Sequence, residues 1–367
     1  MPERKISERV WSRRGFLVTS STAALAAGGA PSGKPARPPA LGFDNFSIRA
    51  FKWKAPQLID YAASLKVDVL LLSDLNVYES FEPAYLRKVG QYARSKGIVL
   101  QVGTGSICPT SRSYNEKRWG PAVEHARLLI RVAQGVGASV ARCYLGTRAD
   151  RLSDGGIYRH MEAMVKVLKA VRSQAESAGV KLAVENHAGD MQAWELVELI
   201  EQAGKEFVGA TMDIGNALWT LEDPMVNLEK LAPYVLTTGM RDTAVWETER
   251  GAALMWVNMG RGIVDWKRYL ERFCELCPRI PFVLEIISYK WKLELPFLED
   301  SFWKAFPRAR AWEFARFLAL LKRGRPYRLP PGRPTGKPSA ALEQAQQKFD
   351  LEESLKFCRS LGLGRRS

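Results

Sequence analysis

The sequence predicts a (β/α)8 barrel, an α/β fold in a single domain, and three observations lead to this prediction. Short runs of β-forming residues alternate with amphipathic helical stretches, as they do when crossover helices connect parallel strands. The chain of 367 residues exceeds the roughly 250 that a single barrel needs. The first strand ends in residues 47–51, SIRAF, without the glycine-rich phosphate loop that would favour an open doubly wound sheet.

The elements follow one another in eight units. Each predicted strand is a short run rich in aliphatic and β-branched residues, and each predicted helix carries apolar residues at helical spacing. The predicted strands are 41–48, 67–73, 99–103, 139–144, 182–186, 208–213, 235–240 and 282–287. The helices that follow them are 56–65, 84–96, 121–135, 158–178, 193–203, 227–231, 265–276 and 311–321. Eight such units close a barrel spanning 41–322.

The positive charge of the chain belongs mostly to its two ends. The formal net charge is +15, of which residues 1–40 carry +5 and residues 322–367 carry +7, so that the segment between them holds only +3. Binding to a phosphate backbone requires a basic face on the folded part of a protein. We therefore expect no nucleic-acid partner.

The N-terminal 30 residues have the pattern of a twin-arginine export signal. Arg13 and Arg14 precede an apolar stretch of small residues, 18–30, which is shorter than the roughly 20 residues that a membrane-spanning helix requires. The pattern predicts a cleaved signal in 1–30, a linker in 31–40, and no stable membrane span after cleavage. The expected partner is the twin-arginine export machinery, and the expected location is the periplasm or the exterior.

The C-terminal end divides into a linker and a short helix. Residues 323–339 contain Gly, Pro and Arg in quick succession, which is typical of an extended linker. A helical pattern returns within 340–367. We expect this last part to be an appended helix with a tail.

Acidic residues stand at the ends of the predicted strands, where barrel enzymes carry their functional groups. Glu185, Asp213 and Glu285 each follow apolar residues, and Asp242 follows strand seven beside Arg241. Three carboxylates at one barrel mouth repel one another unless a proton or a cation lies between them. Mn²⁺, Mg²⁺ or Zn²⁺ would resolve this repulsion. For Asp242, a salt bridge with Arg241 at the rim is an equally good interpretation.

Together these segments carry a family resemblance. They are Glu185-Asn186-His187, Asp213-Ile214-Gly215-Asn216, Arg241-Asp242, the stretch 260–266 (GRGIVDW) and Glu285. Their succession resembles that of xylose isomerase-like barrels, in the sugar phosphate isomerase/epimerase branch, over about residues 41–322.

The resemblance implies a metal site and a reaction class. In that family a Glu, an Asp, a His and a second Glu bind one divalent metal, and the two glutamates exchange protons with the substrate. By resemblance, Glu185 and Glu285 are ligands and acid/base residues, and Asp213 is a ligand. The family's histidine position is Gly239 here. Either the metal is held differently, with His187 as a replacement ligand, or the site has lost its metal and with it catalysis.

Several residues are candidates for contact with a small carbohydrate. They are His187, Asn216, Arg241, Trp256 and Lys290. For His187, substrate contact or a structural hydrogen bond is the alternative to metal binding. The expected function is metal-assisted proton transfer next to a carbonyl of a carbohydrate or polyol, as in isomerases, epimerases and related lyases. The alternative is a non-catalytic periplasmic carbohydrate-binding barrel.

Overall fold

The structure, a computed structural model, describes residues 38–289, 292–333, 336 and 338–364. The predicted export signal, most of the linker before the barrel, and Lys290 lie outside these residues. The strands are β1 Leu41–Asp44, β2 Val69–Leu72, β3 Val99–Ser106, β4 Val140–Tyr144, β5 Lys181–Glu185, β6 Val208–Met212, β7 Val235–Thr238, β8 Asp242–Thr248, β9 Gly251–Val257, β10 Phe282–Leu284 and β11 Lys292–Leu295.

Eight of these strands form a parallel barrel. Their order is β10-β1-β2-β3-β4-β5-β6-β7, and a parallel bridge between Met240 and Leu284 brings the two ends of the sheet together. The predicted (β/α)8 fold is therefore confirmed. Several strands end earlier than predicted, because the residues at their carboxyl ends leave the ladder. In β1, for example, the side chain of Asp44 accepts the N–H of Phe46 and starts a 3-10 helix.

Helices connect the strands and cover the outside of the barrel. The α-helices are α1 Ala55–Ser64, α2 Pro83–Ser95, α3 Glu116–Trp119, α4 Ala122–Val136, α5 Arg148–Arg151, α6 Gly156–Ala170, α7 Arg172–Ala178, α8 Ala193–Ala203, α9 Ile214–Ala217, α10 Pro224–Leu231, α11 Trp266–Leu276, α12 Asp300–Trp303, α13 Ala311–Leu321 and α14 Ala340–Ser360. The 3-10 helices are η1 Asn45–Phe51, η2 Leu75–Val77, η3 Leu218–Thr220 and η4 Ala232–Tyr234. None of the helices in the described part of the chain combines the length and the apolar character needed to cross a bilayer.

A small antiparallel sheet, which the sequence reading missed, is inserted after β7. The hairpin of β8 and β9 pairs Asp242 with Val257, and β11 adds to the free edge of β9. Helix α13 forms at the position predicted for the eighth barrel helix. However, its apolar residue Phe317 joins a separate buried cluster that contains Val245 and Leu254 of this insert sheet. This helix therefore covers the insert.

The C-terminal helix α14 packs on the barrel core. The prediction that it is an appended helix outside the barrel is therefore wrong. Its residues Leu351, Leu355 and Cys358 are fully buried in the main core. It lies between α1 and the loop after β9, with one hydrogen bond from Tyr61 and another from Asn258. It therefore takes the place of the eighth outer helix, and residue 322 does not mark the end of the fold.

We predict that Leu355→Ala lowers the free energy of unfolding by about 2–5 kcal/mol, because the truncation leaves a cavity in the main core. Leu342 lies on the same helix but is 41% exposed. The control Leu342→Ala should change the stability by no more than about 0.5 kcal/mol. Urea denaturation measures both values. Equal losses for the two variants would contradict the assignment of α14 to the core.

Candidate active site at the barrel mouth

Three carboxylates meet at the carboxyl ends of the barrel strands. Glu185 is the last residue of β5, Asp213 directly follows β6, and Glu285 directly follows β10. All three are buried, and one carboxylate oxygen of each lies within 4.8 Å of the others. The convergence predicted from the strand ends is thus present, because parallel strands place their carboxyl ends at one edge.

Local hydrogen bonds position Asp213. The side-chain amide of Asn186 donates to the backbone carbonyl of Asp213 at 2.7 Å and accepts its N–H at 2.9 Å, which ties the ends of β5 and β6 together. The carboxylate of Asp213 also accepts the backbone N–H of Asn216 at 3.1 Å and so caps α9. Both the backbone and the side chain of Asp213 are therefore held.

Two buried arginines neutralise part of the acidic cluster. Arg142, from β4, places its Nε 2.5 Å from Oε2 of Glu185 and donates Nη1–H to the carbonyl of Thr104. Nη2 of Arg241 forms ion pairs with Oδ2 of Asp213 and with Oε2 of Glu285. Arg241, predicted to bind substrate, is thus engaged with the acidic residues themselves.

Ion pairing with these two arginines leaves the cluster with an excess of negative charge. A fourth buried carboxylate, that of Asp44 at the end of β1, is close enough for burial and the charge of Glu285 to raise its pKa to about 7. Burial also holds the pKa of Asp213 well above its ordinary value, and the charges of Glu185 and Glu285 add to this effect. Among the described residues, four carboxylates thus lie around two buried guanidinium groups, and Arg49 adds a third positive charge that interacts with Glu285. A further cation would relieve this imbalance.

The donor atoms fit a divalent cation. Carboxylate oxygens are hard ligands of the kind that Mg²⁺ and Mn²⁺ take. Asn216 borders the same place: its side-chain NH₂ donates to Glu185 at 3.1 Å and to Asp213 at 2.8 Å, while its buried Oδ1 has no hydrogen-bond partner among the described residues. The residues that would hold the ion are Glu185, Asp213 and Glu285.

Gly239 lies next to the space between the carboxylates. A Cβ atom built on Gly239 would lie 3.7 Å from Oδ2 of Asp213 and 3.8 Å from Oε2 of Glu285, at ordinary van der Waals distance. A side chain at this position would therefore be directed at the carboxylates. Gly239 itself supplies no donor atom there, and among the described residues no further His, Cys, Asp or Glu joins the three carboxylates.

His187 lies beside the cluster and outside the group of converging donors. Its Nδ1 is 2.7 Å from the carbonyl oxygen of Gly146, so that this nitrogen carries the proton, and its ring stacks on Tyr144 at 3.8 Å. Burial, followed by the charge of Arg142, lowers the pKa of His187 to about 3. The imidazole is therefore neutral. These contacts agree with the interpretation as a structural hydrogen bond.

Trp256, predicted to bind substrate, covers the cluster from the insert sheet. Its ring lies 4.3 Å from the guanidinium carbon of Arg241 and stacks on Trp219 at 4.4 Å. The indole N–H of Trp219 is buried and has no partner among the described residues. The two indoles therefore form an aromatic wall next to the acidic cluster.

Asp242 organises a loop and makes no ion pair with Arg241. Its carboxylate accepts the N–H groups of Gly260 at 3.0 Å and Gly262 at 2.9 Å, and the indole N–H of Trp266 at 2.8 Å. The stretch 260–266, which carried part of the family resemblance, is thus folded around this buried carboxylate. The rim salt bridge considered for Asp242 is not formed.

Asp44, Arg142 and Trp219 are site residues that sequence reasoning missed. A signal existed for Arg142, which interrupts the apolar run of β4 and lies inside the barrel wall. Charged residues in a strand of a parallel sheet are costly unless they are paired. No local pattern marked Trp219, because its stacking partner Trp256 belongs to a hairpin that was not predicted from the sequence.

Fold and mouth together define a (β/α)8 barrel protein with a buried acidic site that two arginines partly neutralise. Residues 58–306 match the model of the xylose isomerase-like TIM barrel family, and the chain belongs to that family. The resemblance stated from the motifs is thereby confirmed at the level of the family. No curated protein matches the sequence.

Several crystal structures share the fold. One is a D-psicose 3-epimerase in the presence of D-fructose, with a TM-score of 0.56 and 13% identity over 88% of this chain and 99% of that chain. Another is a xylose isomerase domain protein from Planctomyces limnophilus, with a TM-score of 0.51 and 19% identity over 69% and 92%. A third is a xylose isomerase-like TIM barrel protein from Mycobacterium smegmatis in complex with magnesium, with a TM-score of 0.51 and 14% identity over 77% and 98%.

We predict that His187 stays neutral between pH 5 and pH 8, because its pKa is lowered to about 3. The stability that this neutral histidine contributes should be present above its unfolded pKa of about 6.5 and should decrease as the pH falls below that value. Long-range ¹⁵N–¹H NMR spectra of the imidazole rings measure the protonation state, and His187→Gln assigns the signals. A titration midpoint near 6.5 for His187 would contradict the burial argument.

Proposed function

We propose that this protein is a metal-dependent isomerase or epimerase that moves a proton next to a carbonyl group of a carbohydrate or polyol. The convergence of Glu185, Asp213 and Glu285 within 4.8 Å in a buried barrel mouth carries the proposal. Membership of the xylose isomerase-like family and the similarity in fold to sugar epimerases support it.

In this proposal the two glutamates exchange the proton. Glu185 and Glu285 come from β5 and from the end of β10, with β6 and β7 between them, so that their carboxylates approach a small molecule from different strands. One glutamate, as the carboxylate, removes the proton from carbon, and the other, entering the step as the carboxylic acid, delivers its own proton to carbon. A divalent cation held by Glu185, Asp213 and Glu285 would supply Lewis-acid polarisation of the substrate oxygen next to the reacting carbon.

The surrounding residues hold the glutamates in place. Arg142 pairs with Glu185 and Arg241 pairs with Glu285, and each guanidinium offsets the cost of burying a carboxylate. The indoles of Trp219 and Trp256 exclude water on the side of Arg241 and offer an apolar face to the substrate carbons. Asn216 links Glu185 to Asp213 and can also accept a hydrogen bond from a substrate hydroxyl through its Oδ1.

A second function remains a candidate because of Gly239. Without the fourth protein ligand, the barrel could bind a carbohydrate and leave it unchanged. The ion pairs of Arg241 with both Asp213 and Glu285 favour this alternative, since they already neutralise part of the site. The two candidates differ in one measurable property, which is the exchange of carbon-bound protons.

Incubation of the protein in D₂O with Mn²⁺ and either D-fructose or D-tagatose tests the proposal. We expect NMR spectra to show deuterium incorporation at a carbon next to the carbonyl, at a rate at least about 100-fold lower in Glu185→Gln and in Glu285→Gln. The control Glu247→Gln removes an exposed carboxylate on the insert sheet and should exchange normally. Calorimetric sugar binding without exchange would establish the non-catalytic binder.

Calorimetry with Mn²⁺ tests the metal site separately. Glu185→Gln should abolish stoichiometric binding, whereas Gly239→His should tighten it by about tenfold, because the imidazole would enter the space directed at Asp213 and Glu285. Gly239→Ala fills the same position without a donor and serves as the matched control. Equal affinities for Gly239→His and Gly239→Ala would show that position 239 does not face the metal.

We further propose that the protein is exported through the twin-arginine pathway to the periplasm or the exterior. The paired arginines Arg13 and Arg14, followed by a short apolar stretch, support this proposal. Replacing both by lysine should retain the protein in the cytoplasm of a host that has this pathway, as measured by cell fractionation. Cytoplasmic retention of the unaltered protein in such a host would refute the proposal.

A further inference from the structure

Residues 324–333 lie between α13 and α14, and we call them the C-terminal strap. Both ends of the strap contact other parts of the fold. At its start, Gly324 packs directly on the insert sheet, where a Cβ atom would lie only 1.9 Å from the carbonyl oxygen of Val245. At its end, Arg333 forms two hydrogen bonds with the carboxylate of Asp350 in α14, one of them 2.8 Å long. Both partners of this ion pair are largely buried.

The strap holds Tyr289, which lies four residues after Glu285. The ring of Tyr327 stacks on that of Tyr289 with centroids 5.7 Å apart, and the two hydroxyl oxygens are 3.3 Å apart. The guanidinium carbon of Arg333 lies 4.7 Å from the centre of the Tyr289 ring on its face. Tyr289 is thus held by two residues of the strap.

The backbone of Tyr289 needs such support. Its φ angle of 60° lies in the left-handed region, which a non-glycine residue adopts at a cost and keeps only where its surroundings hold it. Its N–H donates to the carbonyl of Trp256 at 2.9 Å. This bond ties the segment after β10 to the strand that carries the aromatic wall.

The ion pair of Arg333 with Asp350 also holds the residues that directly follow that strand. Oδ1 of Asp350 accepts the side-chain amide of Asn258 at 2.9 Å, and the hydroxyl of Ser354 accepts the N–H of Met259 at 3.2 Å. Asn258 is two residues beyond Trp256, whose ring covers Arg241. Asp350 therefore connects the strap, α14 and the insert sheet at one point.

These contacts bear on the acidic cluster because Glu285 lies on an irregular segment. Strand β10 ends at Leu284, and residues 285–288 have no regular secondary structure. Between Glu285 and Tyr289, the N–H of Ile286 donates to the hydroxyl of Ser47 at 2.9 Å. The segment is thus anchored by β10 at its start and by Tyr289 at its end.

We propose that Arg333 and Asp350 are positioning residues of the site: through Tyr289 and Asn258 they hold the Glu285 segment and the Trp256 strand in the arrangement that brings the carboxylates together. The contribution to metal binding rests on the proposed function, whereas the anchoring of residues 285–289 does not. The C-terminal helix and strap are, in this proposal, parts of the site.

Hydrogen–deuterium exchange of the full chain tests the anchoring, with Arg333→Ala compared with Arg359→Ala. Arg359 also belongs to α14, but its guanidinium bonds to the carbonyl of Leu65 at 2.5 Å and does not contact the strap. We expect Arg333→Ala to raise exchange in peptides covering 285–289 and 254–258 by about tenfold, since breaking a buried ion pair opens its surroundings locally. Arg359→Ala should leave both peptides unchanged.

Mn²⁺ affinity distinguishes positioning of the site from general stabilisation. Arg333→Ala should weaken Mn²⁺ binding by about fivefold or more. Arg359→Ala should bind Mn²⁺ normally even where it lowers the Tm as much as Arg333→Ala does. Arg333→Lys retains the charge but not the two-donor geometry, so it should recover part of the affinity. Equal effects of Arg333→Ala and Arg359→Ala on exchange would overturn the proposal.

Two further outcomes are decisive. If Arg333→Ala does not fold, Tyr327→Leu removes the contact with Tyr289 and leaves the ion pair with Asp350 in place. Raised exchange in 285–289 for Tyr327→Leu supports the anchoring, and unchanged exchange refutes it. If the unaltered protein binds no Mn²⁺, the proposed function fails, while the exchange of residues 285–289 still decides whether the strap anchors this segment.

Discussion

The burial of several carboxylates at one end of the barrel is the constraint on which the rest of the site depends. Parallel strands deliver Glu185, Asp213 and Glu285 to the same edge, where mutual repulsion and the loss of water both disfavour ionisation. Arg142 and Arg241 form buried ion pairs with these carboxylates and so offset part of the free-energy cost of burying them. Their positive charge does not balance all the carboxylates. Burial, together with the charge of neighbouring carboxylates, therefore still raises the pKa of Asp213 and Asp44.

This imbalance of charge would favour the cation that we propose for the site, even though position 239 is a glycine. The three carboxylates supply the negative charge, and a histidine, being neutral when it binds a metal, would add a donor without changing that charge. A glycine at position 239 therefore leaves the negative charge of the proposed cation site unchanged. The same glycine leaves space next to Asp213 and Glu285, which a substrate oxygen could use.

Elements outside the barrel strands complete the mouth. The insert sheet brings Trp256 over Arg241, and Asp242 organises the loop that leads from this sheet into α11. Helix α14 closes the outer layer, and the strap before it reaches back to Tyr289. Residues distant in sequence thus surround the acidic cluster, so that changes in the C-terminal third of the chain can alter the site without touching a carboxylate.

The sequence by itself determined the order of the eight barrel strands and the positions of the acidic residues at the strand ends, because both follow from local periodicity and from the geometry of parallel strands. Only the tertiary structure decided which arginine pairs with which carboxylate, since Arg142 and Glu185 lie on different strands. It also decided which C-terminal helix closes the barrel. Helices α13 and α14 both have apolar residues to bury, and local pattern cannot tell which of the two meets the barrel core and which meets the insert sheet. That choice depends on contacts between residues far apart in the chain.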